Sequence, residues 1–140
     1  SGLMNIVKET SLINKLSNFL YPLIHFLFPK LNKDDKEYKE ISINIIANML
    51  GIGNAATPSG LQAMATMQEK NPNKEVLTDD MAMFIVLNTA SIQLIPTTVI
   101  TIRMALNSAS PTKIIFPIWI VTIIADIAGI TASKVLRKRF

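Results

Sequence analysis

An uncharged stretch of 22 residues, from Met81 to Ile102, limits the folds open to this chain more than any other sequence feature. About 20 apolar residues are enough to carry a helix across the hydrocarbon core of a bilayer. A second apolar stretch, Ile114 to Ser133, contains a single ionisable residue, Asp126. These two stretches predict an all-α membrane protein.

The composition supports a membrane location. Hydrophobic residues make up 49% of the chain and charged residues 17%, whereas roughly a quarter of a soluble domain is charged. Many of the charges gather between Lys30 and Glu40 and between Lys134 and Arg139. We expect an integral, multi-pass protein of the cell membrane. The second cluster follows an apolar segment, so the positive-inside rule predicts that its C-terminus is cytoplasmic. The net charge of +4 is explained by such flanks and does not indicate nucleic acid.

The N-terminal region, residues 3–28, has the periodicity of an amphipathic helix. Apolar residues recur at steps of three and four, with polar side chains mainly on the other side. The predicted apolar stripe consists of Leu12, Leu16, Phe19, Leu23 and Leu27, widened by Ile13, Leu20 and Ile24.

The next helix, Ile41 to Leu50, runs into a helix interruption. Gly51 and Gly53 precede a Thr57–Pro58 pair. Threonine is a favourable N-cap, and proline fits the first turn because no N–H is needed there. We therefore predict that Thr57 caps a second half-helix whose backbone N–H groups contribute to a binding site.

A second interruption lies in the uncharged stretch, at Pro96. Thr78 is predicted to cap the helix before it, and a turn at 107–110 precedes the last span. The predicted fold therefore has an amphipathic N-terminal helix, two broken or re-entrant membrane segments and a C-terminal transmembrane helix. It forms a single domain over residues 1–140. The chain begins in what reads as the middle of a helix, so we expect a hydrophobic segment to precede it.

Uncharged polar residues gather around the two interruptions. In hydrocarbon such groups need hydrogen-bond partners, so they either join helices or line a wet cavity, and both alternatives stay open. Asn44 and Asn48 share one helix face, while Asn48 and Asn88 lie 40 residues apart, each before a proline. Paired broken helices indicate a transporter-type binding site. The predicted substrate-binding residues are Asn48, Asn54, Thr57, Asn88, Ser91, Gln93 and Thr97.

The sequence contains no recognisable catalytic motif. It has no cysteine, and His25 is its single histidine. We therefore expect neither an enzyme nor a bound metal or cofactor. Asp126, the acid within the last span, is either a proton or cation site or the partner of a Lys or Arg on another helix.

Two stretches resemble a known family. They are NMLGIGNAATPSGLQAM, residues 48–64, and LNTASIQLIPTTVI, residues 87–100. Both are similar to the spore-maturation members of the nucleoside-recognition, or gate, domain family, and the resemblance covers essentially the whole chain. It implies an integral membrane protein of endospore-forming bacteria, linked to dehydration of the spore core and built on a broken-helix transport scaffold.

The resemblance also implies partners. The usual companion of such a protein is spore maturation protein B, so we expect a hetero-oligomer with it, or else a homo-oligomer, that moves a small solute or ion. The alternative is a membrane scaffold that recruits or regulates cortex peptidoglycan-modifying enzymes, in which the polar residues join helices.

Overall fold

The computed structural model describes residues 11–90 and 93–136, with side chains from Lys15 onward. Within these ranges the chain is helical and contains no strand, as the sequence predicts. The helices are α1 (Ser11–Leu27), α2 (Lys36–Met49), α3 (Gly53–Lys70), α4 (Asp79–Ala90), α5 (Thr97–Ala105), a 3₁₀ turn (Pro111–Ile114) and α6 (Ile115–Leu136).

The hydrophobic core is built from α1 to α4. Its buried residues include Leu20, Ile24, Leu27, Phe28, Tyr38, Ile41, Ile46, Ala63, Met67, Met81, Met83 and Phe84. The most extensive helix–helix contact joins α2 and α3, and further contacts join α1 to α2 and α4 to α6. No residue of α5 is buried, and α6 contributes to the core through the partly buried Ile130.

One part of the predicted stripe on α1 is wrong. Phe19 and Leu23 are 78% and 46% exposed, whereas Leu20 and Ile24 are buried. The apolar residues cover a wider arc of the helix than one neighbouring helix can bury. Contact with α2 therefore decides which row of apolar residues on α1 is buried. Helical periodicity alone could not distinguish one row from another.

The first interruption is shorter than predicted, and Thr57 does not cap a helix. α2 ends at Met49 and α3 already begins at Gly53, so Pro58 lies inside α3. The carbonyl of Ile52 accepts hydrogen bonds from the N–H groups of Ala55 and Ala56, both at 3.0 Å. The helix therefore resumes five residues earlier than the Thr–Pro signal indicates, with Ile52 rather than Thr57 at the N-cap position.

The second interruption is where the sequence predicts it. α4 ends at Ala90 and α5 begins at Thr97, directly after Pro96. The Thr78 hydroxyl accepts a hydrogen bond from the Met81 N–H at 3.2 Å, which confirms the predicted N-cap. At 1.5 Å per residue, α4 and α5 are only about 18 and 14 Å long, so neither is long enough to cross a ~30 Å hydrocarbon core alone.

The segment from Pro111 to Leu136 is, among the residues described, the one helix long and apolar enough to cross a membrane. Asp126 is its buried residue, while apolar side chains such as Phe116 and Ile124 are 68% and 61% exposed. It packs against α4 at Gly129, where an added Cβ would lie 2.9 Å from Val86 Cγ1. By length and composition this helix fits the predicted C-terminal span.

An ion pair links α2 and α3 at the end opposite their interruption. Lys70 Nζ lies 2.6 Å from Glu37 Oε1, and Glu37 is buried. The hydrogen bond to Glu37 raises the pKa of Lys70 above its ordinary value of 10.5.

Candidate functional site

The first interruption is a helix C-cap built around Gly51. This residue has a φ of +68°, the left-handed conformation that glycine adopts without strain. The N–H groups of Gly51 and Ile52 donate to the carbonyls of Asn48 and Ala47, at 3.0 and 2.8 Å. This pair of bonds is the Schellman motif, which ends α2 and turns the chain into α3.

The second interruption lies directly against the first. The Met49 carbonyl, at the end of α2, accepts hydrogen bonds from the N–H groups of Leu94 (2.8 Å) and Ile95 (3.3 Å). The Thr97 hydroxyl donates to the Gly51 carbonyl at 2.8 Å. The two broken segments predicted from the sequence therefore meet, and each satisfies backbone groups that the other leaves open.

α6 supports this junction from outside the core. The Trp119 indole N–H donates to the Leu94 carbonyl at 3.0 Å. The apolar C-terminal helix is thus joined to the unwound backbone of the second interruption.

Three asparagines lie beside the junction, and we call them the asparagine cluster: Asn44, Asn48 and Asn88. The Asn48 amide donates to Asn88 Oδ1 at 3.1 Å and to Asn44 Oδ1 at 3.4 Å. Asn44 donates to the Ala56 carbonyl at 2.8 Å and Asn88 to the Phe84 carbonyl at 3.0 Å. The cluster therefore ties α2 to both α3 and α4.

Two cavities share the asparagine cluster as a common wall. The outer cleft, of about 420 Å³, is otherwise lined by residues of α3 and α4 that include Thr57, Gly60 and Thr89. Gly60 allows α3 to lie close to the Asn44 side chain, because an added Cβ there would lie 2.8 Å from Asn44 Nδ2.

The inner cavity, of about 130 Å³, lies between α1, α2, α4 and α6. Apart from the asparagine cluster, its lining is mostly apolar, with Leu27, Met49 and Leu87 among the contributors. It also includes Asp126, which is 6% exposed. The cluster is therefore in contact with both the open outer cleft and the inner cavity, which contains an acid.

The structure gathers some of the predicted site residues and separates others. Asn48 and Asn88 are hydrogen bonded, and Thr57 lines the outer cleft beside them. Thr97 lies at the junction of the interruptions, where it bonds to backbone. Asn54 is exposed and Gln93 is half-buried, and neither is among the residues that line the two cavities. Ser91 lies outside the described residues.

Asn44 is absent from the predicted binding residues, although it is a buried member of the cluster. The signal that could have identified it is its spacing, because a residue four positions before Asn48 shares its helix face. Asp126 is conspicuous as an acid within an apolar span, but nothing in its local sequence indicates that α6 brings it to the asparagines.

Comparison with known proteins identifies a relative by sequence similarity. No protein-family model matches the sequence, and no solved structure matches it. The chain is 41% identical over 133 residues to spore maturation protein A of Bacillus subtilis (strain 168), an alignment that covers 95% of this chain and 68% of the relative. Similarity of this extent, which takes in the segments that form the junction and the asparagine cluster, shows that the chain belongs to the spore maturation protein A family and has a role in spore maturation.

Proposed function

We propose that this chain is a multi-pass cell-membrane protein, not an enzyme, that takes part in moving a small solute or ion during spore maturation. The observation that carries the proposal is the meeting of two interrupted helices at the asparagine cluster, which lines two cavities. Unwound backbone at membrane depth is tolerated where it is buried in protein or lines a cavity. Paired broken helices are a recurrent design of transporter binding sites.

The proposed binding surface is the floor of the outer cleft. Asn48 and Asn88 face it from α2 and α4, and Thr57 from α3. The three amides of the cluster donate four hydrogen bonds, fewer than their six N–H groups allow, so hydrogen-bonding capacity remains for a polar solute. Thr97 has a positioning role, because its hydroxyl bonds to the Gly51 carbonyl and so joins the second interruption to the first.

Assembly is part of the proposal. The described part of the chain has one segment of membrane length, too few to enclose a pathway alone, and the outward side of α6 is apolar and exposed. We propose that the chain forms a hetero-oligomer with spore maturation protein B, or a homo-oligomer, with its C-terminus in the cytoplasm. The basic residues after α6 support that orientation.

A second candidate is a membrane scaffold that recruits or regulates cortex peptidoglycan-modifying enzymes. The observation that favours it is the bonding within the cluster, where all three asparagine amides already have partners. Asparagines that only join helices behave in this way. Translocation and scaffolding predict different effects when one asparagine amide is removed.

The test is substitution of Asn48→Ala and Asn88→Ala, each expressed in a sporulating bacterium that lacks its own copy of the protein. If the protein takes part in translocation, spores of both variants should have the buoyant density of the strain without the protein. Buoyant density reports dehydration of the spore core. Membrane levels and assembly of both variants are expected to stay normal.

Asn32→Ala is the matched control, because Asn32 is an exposed asparagine in the loop before α2 and lines neither cavity. It should leave spore density unchanged. If both variants instead disappear from the membrane or lose their partner, the asparagines join helices and the scaffold is favoured over translocation.

A further inference from the structure

The inner cavity contains a buried acid without a visible counter-charge. Asp126 is 6% exposed, and its Oδ2 atom has no hydrogen-bond partner in the described part of the chain. It is the one titratable residue among those described that line this cavity. A carboxylate in such surroundings is costly unless a positive charge or hydrogen-bond donors reach it.

The cationic side chains near this helix are engaged elsewhere. Lys134, two turns further along α6, places its ammonium 3.4 Å from the centre of the Phe26 ring. Arg103 donates to the Ser108 hydroxyl and to the Pro111 carbonyl. Within the described ranges, the ion pair with Lys or Arg that the sequence left open for Asp126 is therefore not formed.

The cavity offers the ligands that a small cation prefers. A carboxylate and the amide oxygens of the asparagine cluster are hard oxygen donors, and Asn44, Asn48 and Asn88 all line the same space as Asp126. A volume of about 130 Å³ accommodates an ion with a few waters, since one water occupies about 30 Å³. One carboxylate balances one positive charge, whereas a divalent ion would leave an uncompensated charge among apolar side chains.

We propose that the inner cavity binds a monovalent cation, with Asp126 as its charge partner and the asparagine cluster as its source of amide oxygens. The proposal deepens the proposed function, on which it rests, by naming the class of ion at that site. The cluster lines both cavities, so the same amides that contact the outer cleft are in reach of the ion.

The test uses the purified full chain in lipid nanodiscs, with NaCl or KCl replacing choline chloride at constant ionic strength. At ten times the dissociation constant, Na⁺ or K⁺ should raise Tm by on the order of 5 °C through preferential binding to the folded state. Asp126→Asn, which removes the charge at nearly constant volume, should abolish this difference.

Asp34→Asn is the matched control, because Asp34 is an exposed acid in the loop before α2. This variant should keep the full response to the cation. Asp126→Glu guards against simple misfolding, since it keeps the charge and should retain a response with weaker binding.

The proposal is overturned if the wild-type Tm is the same in all three salts, or if Asp126→Asn responds as the wild type does. A change of Tm with pH but not with the cation overturns it as well, and would identify Asp126 as a proton site instead. Because binding is measured without sporulation, these results leave the Asn48 and Asn88 experiment as a separate test of function.

Discussion

At the scale of single residues, Gly51 meets two demands that no other residue type meets together. Its φ of +68° lies in the left-handed region, which costs other L-residues roughly 1–2 kcal/mol. A Cβ on this residue would also contact the carbonyl oxygen of Ile95. The close approach of the two interruptions therefore depends on the absence of a side chain at this position.

Gly51→Ala is expected to destabilise the protein by about 2 kcal/mol or more, because strain and steric contact act together. The measurement is Tm of the purified protein, with a fall on the order of 5 °C or more. Gly53→Ala is the control, since a Cβ there meets nothing within 4 Å and alanine favours the helix that begins at this residue. Equal losses for both variants would show that the junction does not depend on Gly51.

At the scale of elements, α6 combines the length of a membrane span with little coverage by the rest of the chain. Its 22 residues are about 33 Å long, which matches the ~30 Å hydrocarbon core. Its apolar residues point outward, and the Trp119 bond and the Gly129 contact join it to the rest of the chain. An exposed surface of this kind needs lipid or a partner.

The orientation of α6 is testable because the chain has no cysteine. Thr112→Cys and Val135→Cys, made separately, each place a single thiol at an exposed position near one end of the apolar segment. A membrane-impermeant maleimide should label the Thr112→Cys variant in intact cells. The Val135→Cys variant should react only after permeabilisation, because the positive-inside rule predicts a cytoplasmic C-terminus. Labelling of both variants in intact cells, or the reverse order, would contradict the predicted topology.

At the scale of the whole molecule, burial is concentrated in α1 to α4, and other surfaces of the chain stay apolar. On α1, Phe19 is 78% exposed while Lys15 and Asn18 beside it are also exposed. A face that mixes a large aromatic with polar groups suits a protein interface better than lipid tails. We therefore propose the exposed side of α1 as the contact surface of the proposed oligomer.

A photoreactive phenylalanine analogue at position 19 should cross-link to co-expressed spore maturation protein B, or to a second copy of the chain. The expected result is a heavier band that contains both proteins on a denaturing gel. The same analogue in place of Asn73, an exposed residue of the loop before α4, should give at most a trace of that band. Equal cross-linking at both positions, or none at position 19, would exclude α1 as the interface.

The local features of the fold were predictable because they depend on backbone properties of neighbouring residues. Gly51 and Pro96 mark the two interruptions, and Thr78 caps α4 as its position before Met81 indicates. The prediction at Thr57 failed for a related reason. A Thr–Pro pair is a sound local signal, but the earlier turn at Gly51 had already restarted the helix.

Sequence patterns alone were sufficient for the helical class, the presence of two helix breaks and the apolar length of the last segment, since hydropathy and backbone preference are local. The packing of the helices was needed to show that Asn48 bonds to Asn88, 40 residues away, and that Leu20 rather than Phe19 is buried. It was also needed to show that Asp126 shares a cavity with the asparagine cluster. These outcomes depend on how helices distant in sequence pack against each other, which no local pattern records.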